Sequence, residues 1–320
     1  MASNTTINTV SALQLEPFIS TSRLASYATL TSPGPSLENL IYAYSWNKKV
    51  AAALYPVMQC LEITLRNAIH KSATAHFSQS DWYDSLLKNV ADDTFSAMLA
   101  QGQIDPKFFR PNIHPRTSNN QKRWNSRHES MLIEAKRKLQ NAGKSTSANN
   151  VISSLMFGFW TELFEHSYYS LTKPLLWPTL NSAVFPNLSG VNRTHSNIYN
   201  KLDALRHLRN RMSHHEPIWK NTSVTDAASA ISYLSNLFSD MVFIIDGMCS
   251  ERVALLEETG KIDYFRSICN EDYLYTYIRR KGIDSVDHRK LTNRIRQHIN
   301  NKQTNSAVIK KMGKTILLFK

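Results

Sequence analysis

Little in this 320-residue chain could serve a disulfide framework or a metal centre. Its three cysteines, Cys60, Cys249 and Cys269, are odd in number and lack metal-ligand spacing, which suits a reducing compartment. Acidic residues are scarce, 25 against 38 Lys and Arg, leaving a net charge of +13. No stretch near the start combines a basic lead with the apolar run of a signal peptide. The longest apolar run, near Met241 to Ile245, is too short to span a bilayer. These absences lead us to expect a soluble, cytoplasmic protein without a metal, nucleotide or flavin cofactor. What is present, 42% hydrophobic and 10% aromatic residues, excludes general disorder and supplies a large core.

The charge is concentrated. Residues 107 to 144 hold ten Lys or Arg against Glu129 and Glu134, and residues 270 to 320 hold twelve against four acids. Each segment therefore carries +8, and the remainder is slightly acidic. Such segments favour a polyanion, because neutralising phosphates releases counterions. The candidate contacts are Lys122, Arg123 and Arg127 in the first segment and Arg289, Lys290, Arg294 and Arg296 in the second.

Periodicity gives a mostly helical chain. Residues 1 to 20 show no period and read as a flexible lead. A turn at Ser32 to Pro35 precedes a helix capped by Ser36, and Pro56 restarts or kinks it. The next helix buries Val57, Leu61, Leu65 and Ala68 and sets Glu62, Arg66 and His70 on its polar side. Residues 77 to 121 are mixed, and a basic helix follows near 122 to 139. Residues 151 to 169 read as one aromatic helix with Gly158 at its middle, allowing close helix approach. Glu162 and His166 sit four apart but lack further ligands beside them, so no metal site is assigned. A long apolar helix covers 227 to 249. Beyond about 255 the pattern is helix, turn at Gly282, a helix over 286 to 299, and two β-rich runs at 307 to 309 and 315 to 319. That is the outline of a winged-helix module, and a basic helical hairpin fits it nearly as well. The resulting partition is a lead over 1 to 20, a helical domain over 21 to 254 and a basic α+β module over 255 to 320.

One helix carries chemistry. Ile198, Leu202, Leu205, Leu208 and Met212 mark its buried stripe, and Pro217 disfavours helical geometry at Glu216. At about 100° per residue, Arg209 falls inside the buried arc, where a guanidinium needs an anion or a wet cleft. Asn210 and His214 share another face, and His214 meets the helix end, where unpaired carbonyls favour a cation. A histidine that moves protons beside a permanently charged arginine can cleave RNA without metal. A helix-terminal His and an interface Arg in a salt bridge is the alternative that composition leaves open.

Arg209-Asn210-Arg211-Met212-Ser213-His214 resembles the R-N-x-x-x-H motif of the HEPN ribonuclease superfamily, and RNRMSHHEPIW resembles the Abi-like (AbiD/AbiF-type) abortive-infection proteins. Further landmarks appear in family order: Leu61 to Ile69, Leu155 to Phe164, Leu176-Trp177 and Phe185-Pro186, so that the resemblance covers roughly residues 20 to 250. It implies an all-α HEPN-type bundle and a metal-independent endoribonuclease in phage defence. Arg209 would stabilise phosphate charge, His214 transfer the proton, and Asn210 orient both, with His215, Arg66 and Asn67 as accessory residues. Arg206 and Arg211 join the RNA contacts. Arg66-Asn67-Ala68-Ile69-His70 is one residue short of a second motif. With one complete motif per chain, the resemblance implies a homodimer or a site completed by a partner, with a regulatory RNA or antitoxin as further possible partners. Two other classes stay open, a non-catalytic RNA-binding or dimerisation protein and a DNA-binding regulator acting through the basic module.

Overall fold

A computed structural model describes residues 9–31, 34–105, 125–279, 284–287, 306–311 and 314–319. The chain is predominantly helical, as the periodicity implies. In chain order the first helices are α1 (Thr9–Ile19), α2 (Thr21–Ala25), α3 (Leu37–Phe77) and α4 (Trp82–Ala100). They are followed by α5 (Arg127–Asn141), α6 (Ala148–Ser154), α7 (Phe157–Glu162) and α8 (Asn181–Val184). Then come α9 (His195–Ser213), α10 (Ala227–Met248), α11 (Ser250–Glu258), α12 (Lys261–Ile268) and α13 (Glu271–Arg279).

The chain divides into two compact units that interleave in sequence. The first comprises residues 1–59, 207–242 and 254–320, and the second residues 60–206 and 243–253. In the first, α3 contributes Trp46, Val50, Leu54 and Val57, all fully buried at helical spacing. Ala12 of α1 packs with Leu24 and Ile41, so the stretch expected to be a flexible lead forms a helix from Thr9 onward. Phe238 and Phe265 stack face to face, with centroids 4.1 Å apart. In the second unit the core is aromatic: Phe157, Phe159, Trp160, Phe164, Trp177 and Phe185 are all fully buried. The Trp177 indole donates to the Leu163 carbonyl at 2.7 Å, which satisfies its buried N–H.

Several local expectations are corrected. Pro56 lies inside α3 and does not end it. Residues 82 to 100 form a 19-residue helix that buries Trp82, Tyr83, Leu86, Leu87, Val90, Ala91 and Phe95. The single helix expected over 151 to 169 is interrupted at Leu155 and Met156, both extended, because Leu155 turns into the core. A Cβ at Gly158 would meet only Glu162 Oε1, at 3.9 Å, so Gly158 permits no close helix approach. Close approach occurs instead at Gly247, where a Cβ would lie 2.7 Å from Leu188 Cγ.

By length and composition alone α10 could cross a membrane. Its apolar residues nevertheless follow the 3.6-residue period of a core helix: Ala230, Leu234, Leu237, Phe238, Met241, Ile244 and Ile245 are buried, whereas Ser239 and Asp240 are not. In the tail, strands β1 (Asp284–Asp287), β2 (Ser306–Lys311) and β3 (Lys314–Phe319) pair in the order β1-β2-β3. The β2-β3 pairing is antiparallel, whereas β1 is parallel to β2. Val286 and Asp287, expected to open a helix, are in a strand. The rest of that expected helix lies outside the described residues.

Candidate functional site

Four buried leucine-type residues, Ile198, Leu202, Leu205 and Leu208, fix the rotation of α9. Met212 and Arg209, expected on the same buried face, are only half-buried. The helix ends at Ser213, and its last carbonyls are satisfied by a Schellman motif. Glu216 N–H donates to the Arg211 carbonyl at 2.9 Å, and His215 N–H donates to the Met212 carbonyl at 3.3 Å. The residue at the turn of that motif must be left-handed, and glycine usually provides it. Here it is His215, with φ 57°. An L-residue in that conformation costs on the order of 1 kcal/mol and persists only where its surroundings hold it.

Two side chains in the same unit hold it. The Arg23 guanidinium donates to the His215 carbonyl at 3.0 Å. Asn47, 3% exposed, brackets the chain that follows: its Oδ1 accepts the Ile218 N–H at 3.1 Å. Its Nδ2 donates to the Glu216 carbonyl at 3.3 Å and to the Tyr27 hydroxyl at 3.2 Å. Burial, with Tyr44 adding to it, pushes the Tyr27 phenol up to about 12, so it remains a neutral hydroxyl that can accept this bond. Ile218 and Trp219 are buried beyond the bracket, the Trp219 ring 5.4 Å from Tyr27 and 5.8 Å from Trp46. The run after the motif is thus an anchor that presents the helix end.

Along α9 the cations divide sharply. Arg206, in the second unit, forms an ion pair with Asp203 at 2.6 Å, both its Nε and Nη2 donating to one carboxylate oxygen. Arg209, Arg211 and His214, in the first unit, have no side-chain hydrogen bond or ion pair among the described residues. Arg209, Asn210 and Arg211 are half-buried and His214 is exposed, as is His215. One Arg211 nitrogen, Nη1, is buried without a partner. Arg209, Asn210, Arg211, His214 and His215 are therefore gathered at one helix terminus.

The other proposed contacts belong to the second unit or lie outside the described residues. Arg66 and Asn67 belong to the second unit, where Arg66 donates to the Ser153 carbonyl at 3.5 Å and Asn67 is exposed. Arg127, read as an RNA contact, forms an ion pair with Glu162 at 2.7 Å. Lys122, Arg123, Arg289, Lys290, Arg294 and Arg296 lie outside the described residues. Sequence reasoning missed Asn47 and Arg23. Asn47 sits in the sequence beside Lys48 and Lys49, so no local pattern set it apart, and nothing marked Arg23.

The second unit holds its own buried ionisable pair. Glu162 is 4% exposed, and His128 Nε2 approaches its carboxylate at 4.0 Å. Burial raises the Glu162 carboxyl against the opposing pull of Arg127. Burial lowers the His128 imidazole to about 4, with Arg127 adding to the shift and a hydrogen bond to the Phe159 backbone resisting it. His128 therefore stays neutral when folded but takes a proton near pH 6.5 when unfolded. Its contribution to stability is intact above pH 6.5 and is lost as pH falls from there towards 4. A shift of this size corresponds to about 3 kcal/mol. Glu162 works in the opposite direction and offsets part of it, because the cost of its burial is relieved as pH falls through its raised value. We expect urea unfolding at pH 7 and pH 4.5 to show a loss of about 2 kcal/mol, and His128→Phe to flatten that dependence. An equally steep loss in the variant would assign the acid sensitivity to other groups.

A family model described as Abi-like protein matches residues 5–220, beginning and ending earlier than the span of roughly 20 to 250 expected from the sequence. Neither a curated protein nor a solved structure matches the chain.

Proposed function

The chain belongs to the Abi-like protein family, and on that premise we propose that it is a cytoplasmic, metal-independent endoribonuclease of the HEPN type, acting in abortive infection against phage. The observation that carries this reading is the cluster at the end of α9. Arg209, Arg211 and His214 are held together without a carboxylate partner among the described residues, whereas Arg206 one turn earlier is paired. The helix dipole favours cations at this end, and with no carboxylate among the described residues to neutralise them they are open to an anionic ligand. Unpaired and half-desolvated, the cluster suits a phosphodiester.

In the proposed reaction the His214 imidazole accepts the proton of a ribose 2′-hydroxyl. The O2′ atom attacks the adjacent phosphorus, and the P–O5′ bond breaks. Arg209 neutralises the charge that builds on the non-bridging oxygens, and Asn210 orients the pair. The departing O5′ takes a proton from an imidazolium, giving a 2′,3′-cyclic phosphate and a 5′-hydroxyl. The motif has one such histidine at His214, so a second copy of the chain facing it would supply the imidazolium that protonates the departing O5′. The basic residues of the tail past residue 255 would add an RNA clamp.

The test is incubation of the purified protein with end-labelled RNA in EDTA. Fragments ending in 2′,3′-cyclic phosphate are the expected result. Intact RNA that is nonetheless bound would make the protein a binder rather than a nuclease.

A further inference from the structure

Beside the motif, residues of the first unit line a recess of about 220 Å³: Asn47, Lys48, Ala51, Met212, His215 and Glu216, with Ile218. It is smaller than the roughly 300 Å³ at which clefts for drug-sized ligands begin, and so has room for one ring system. Ala51, Met212 and Ile218 supply apolar surface, while His215, Lys48 and Glu216 are exposed polar groups at its edge. Asn47 spends both its amide groups on the bracket described above, so it shapes the recess without reading its contents.

Two features exceed what a helix end requires. The residue in the left-handed position is a histidine, although glycine would fit there without strain. The Glu216 carboxylate, next in the chain, makes no hydrogen bond or ion pair among the described residues, although Lys48 lines the same recess.

Resting on the ribonuclease reading above, we propose that this recess is a nucleobase subsite that takes one unstacked base of single-stranded RNA and favours guanine. Single-stranded RNA is read by stacking splayed bases on flat side chains and by hydrogen bonds to their Watson–Crick edges. The His215 imidazole supplies the flat wall, and its strained backbone fixes the wall's position. A carboxylate only accepts hydrogen bonds. Guanine offers it two adjacent donors, N1–H and the N2 amine, one for each oxygen. Adenine and cytosine offer one amine, and uracil sets carbonyls on both sides of its only N–H, which a carboxylate repels. Lys48 pairs with the phosphate of the same nucleotide. The Arg209–His214 cluster on the same helix end then acts on a bond next to a selected base.

Affinity for uncleavable 2′-O-methyl oligonucleotides tests this apart from cleavage. An oligouridine with one central guanine is expected to bind the wild type on the order of tenfold tighter than plain oligouridine, the discrimination of one bidentate base contact. Glu216→Gln is expected to erase that preference, since the amide offers one acceptor in place of two. His215→Gly is expected to weaken guanine binding while raising the thermal midpoint, because glycine relieves the strain; a loss of binding with a lower midpoint would signal a structural role and overturn the assignment. Equal affinity for both oligonucleotides, or a preference that survives Glu216→Gln, also overturns it. Equal affinity with cleavage intact leaves the ribonuclease reading standing, whereas a guanine preference without cleavage supports the subsite and overturns the nuclease. Absence of any RNA binding overturns both.

Discussion

Alanine at His214 is expected to reduce RNA cleavage by about a hundredfold to ten thousandfold while leaving the fold's stability within about 0.5 kcal/mol. The two halves of this expectation have separate causes. The imidazole is exposed and makes no side-chain contact that holds the helix end; the helix is closed by the Schellman bonds of Glu216 and His215 and by the bracket from Asn47. Its removal therefore costs little folding energy. In the proposed reaction, however, it carries the proton of the attacking hydroxyl, and loss of a positioned acid or base costs a factor of about a hundred to ten thousand. Arg209→Ala is expected to fall in the same range, and Arg209→Lys to recover only a small part, because an ammonium cannot present the planar fork that meets two phosphate oxygens. The double variant is expected to lose little beyond either single one, since both groups serve one transition state. Initial rates on labelled RNA in EDTA, with circular-dichroism melts of each variant, read both quantities. Cleavage that persists in folded His214→Ala would place the chemistry elsewhere.

That separation between catalytic and structural residues shows how much of the site the sequence could reveal. The buried stripe of α9 and its end before Pro217 were legible, because leucine spacing and a missing donor act locally. The cap was not, because a left-handed closing residue is looked for as glycine and here is His215. Arg209 was placed on the correct side of the helix but too deep, since a helical wheel shows direction without showing where the core stops. Asn47 was invisible for a different reason. Its partner Ile218 lies 171 positions further along, and no local pattern reports such a bond. Arg127 and Arg206 show a further limit: sequence does not reveal pairing, and both are paired with carboxylates. The helix over residues 82 to 100 does carry its stripe, but the Asp, Ser, Asn and Thr on its outer side favour turns and obscured it. The break at Leu155 has no proline or glycine to announce it; the burial of that leucine requires it.

Replacing Asn47 is expected to give the opposite signature to His214→Ala. Asn47→Leu fills the space but leaves the buried Ile218 N–H without an acceptor and removes the donor to the Glu216 carbonyl and the Tyr27 hydroxyl. An unpaired buried amide costs about 1–3 kcal/mol, and the two other groups add less because both can recover partners. The sum, about 2–4 kcal/mol, is a large share of the roughly 5–15 kcal/mol that holds a folded protein together. Asn47→Asp should fall between the wild type and Asn47→Leu. A carboxylate still accepts from Ile218, and the Tyr27 hydroxyl can turn to donate to it, but the Glu216 carbonyl then faces a negative charge instead of a donor. Urea unfolding orders the three proteins, and a change below about 0.5 kcal/mol for Asn47→Leu would show that the bracket bears no load. Cleavage should fall in both variants even at temperatures where they are folded, because the bracket sets where the strained His215 turn, and with it His214, is held. A stability loss with full retention of rate would separate the anchor from the chemistry, leaving the Schellman bonds and the Arg23 contact as sufficient to position the helix end.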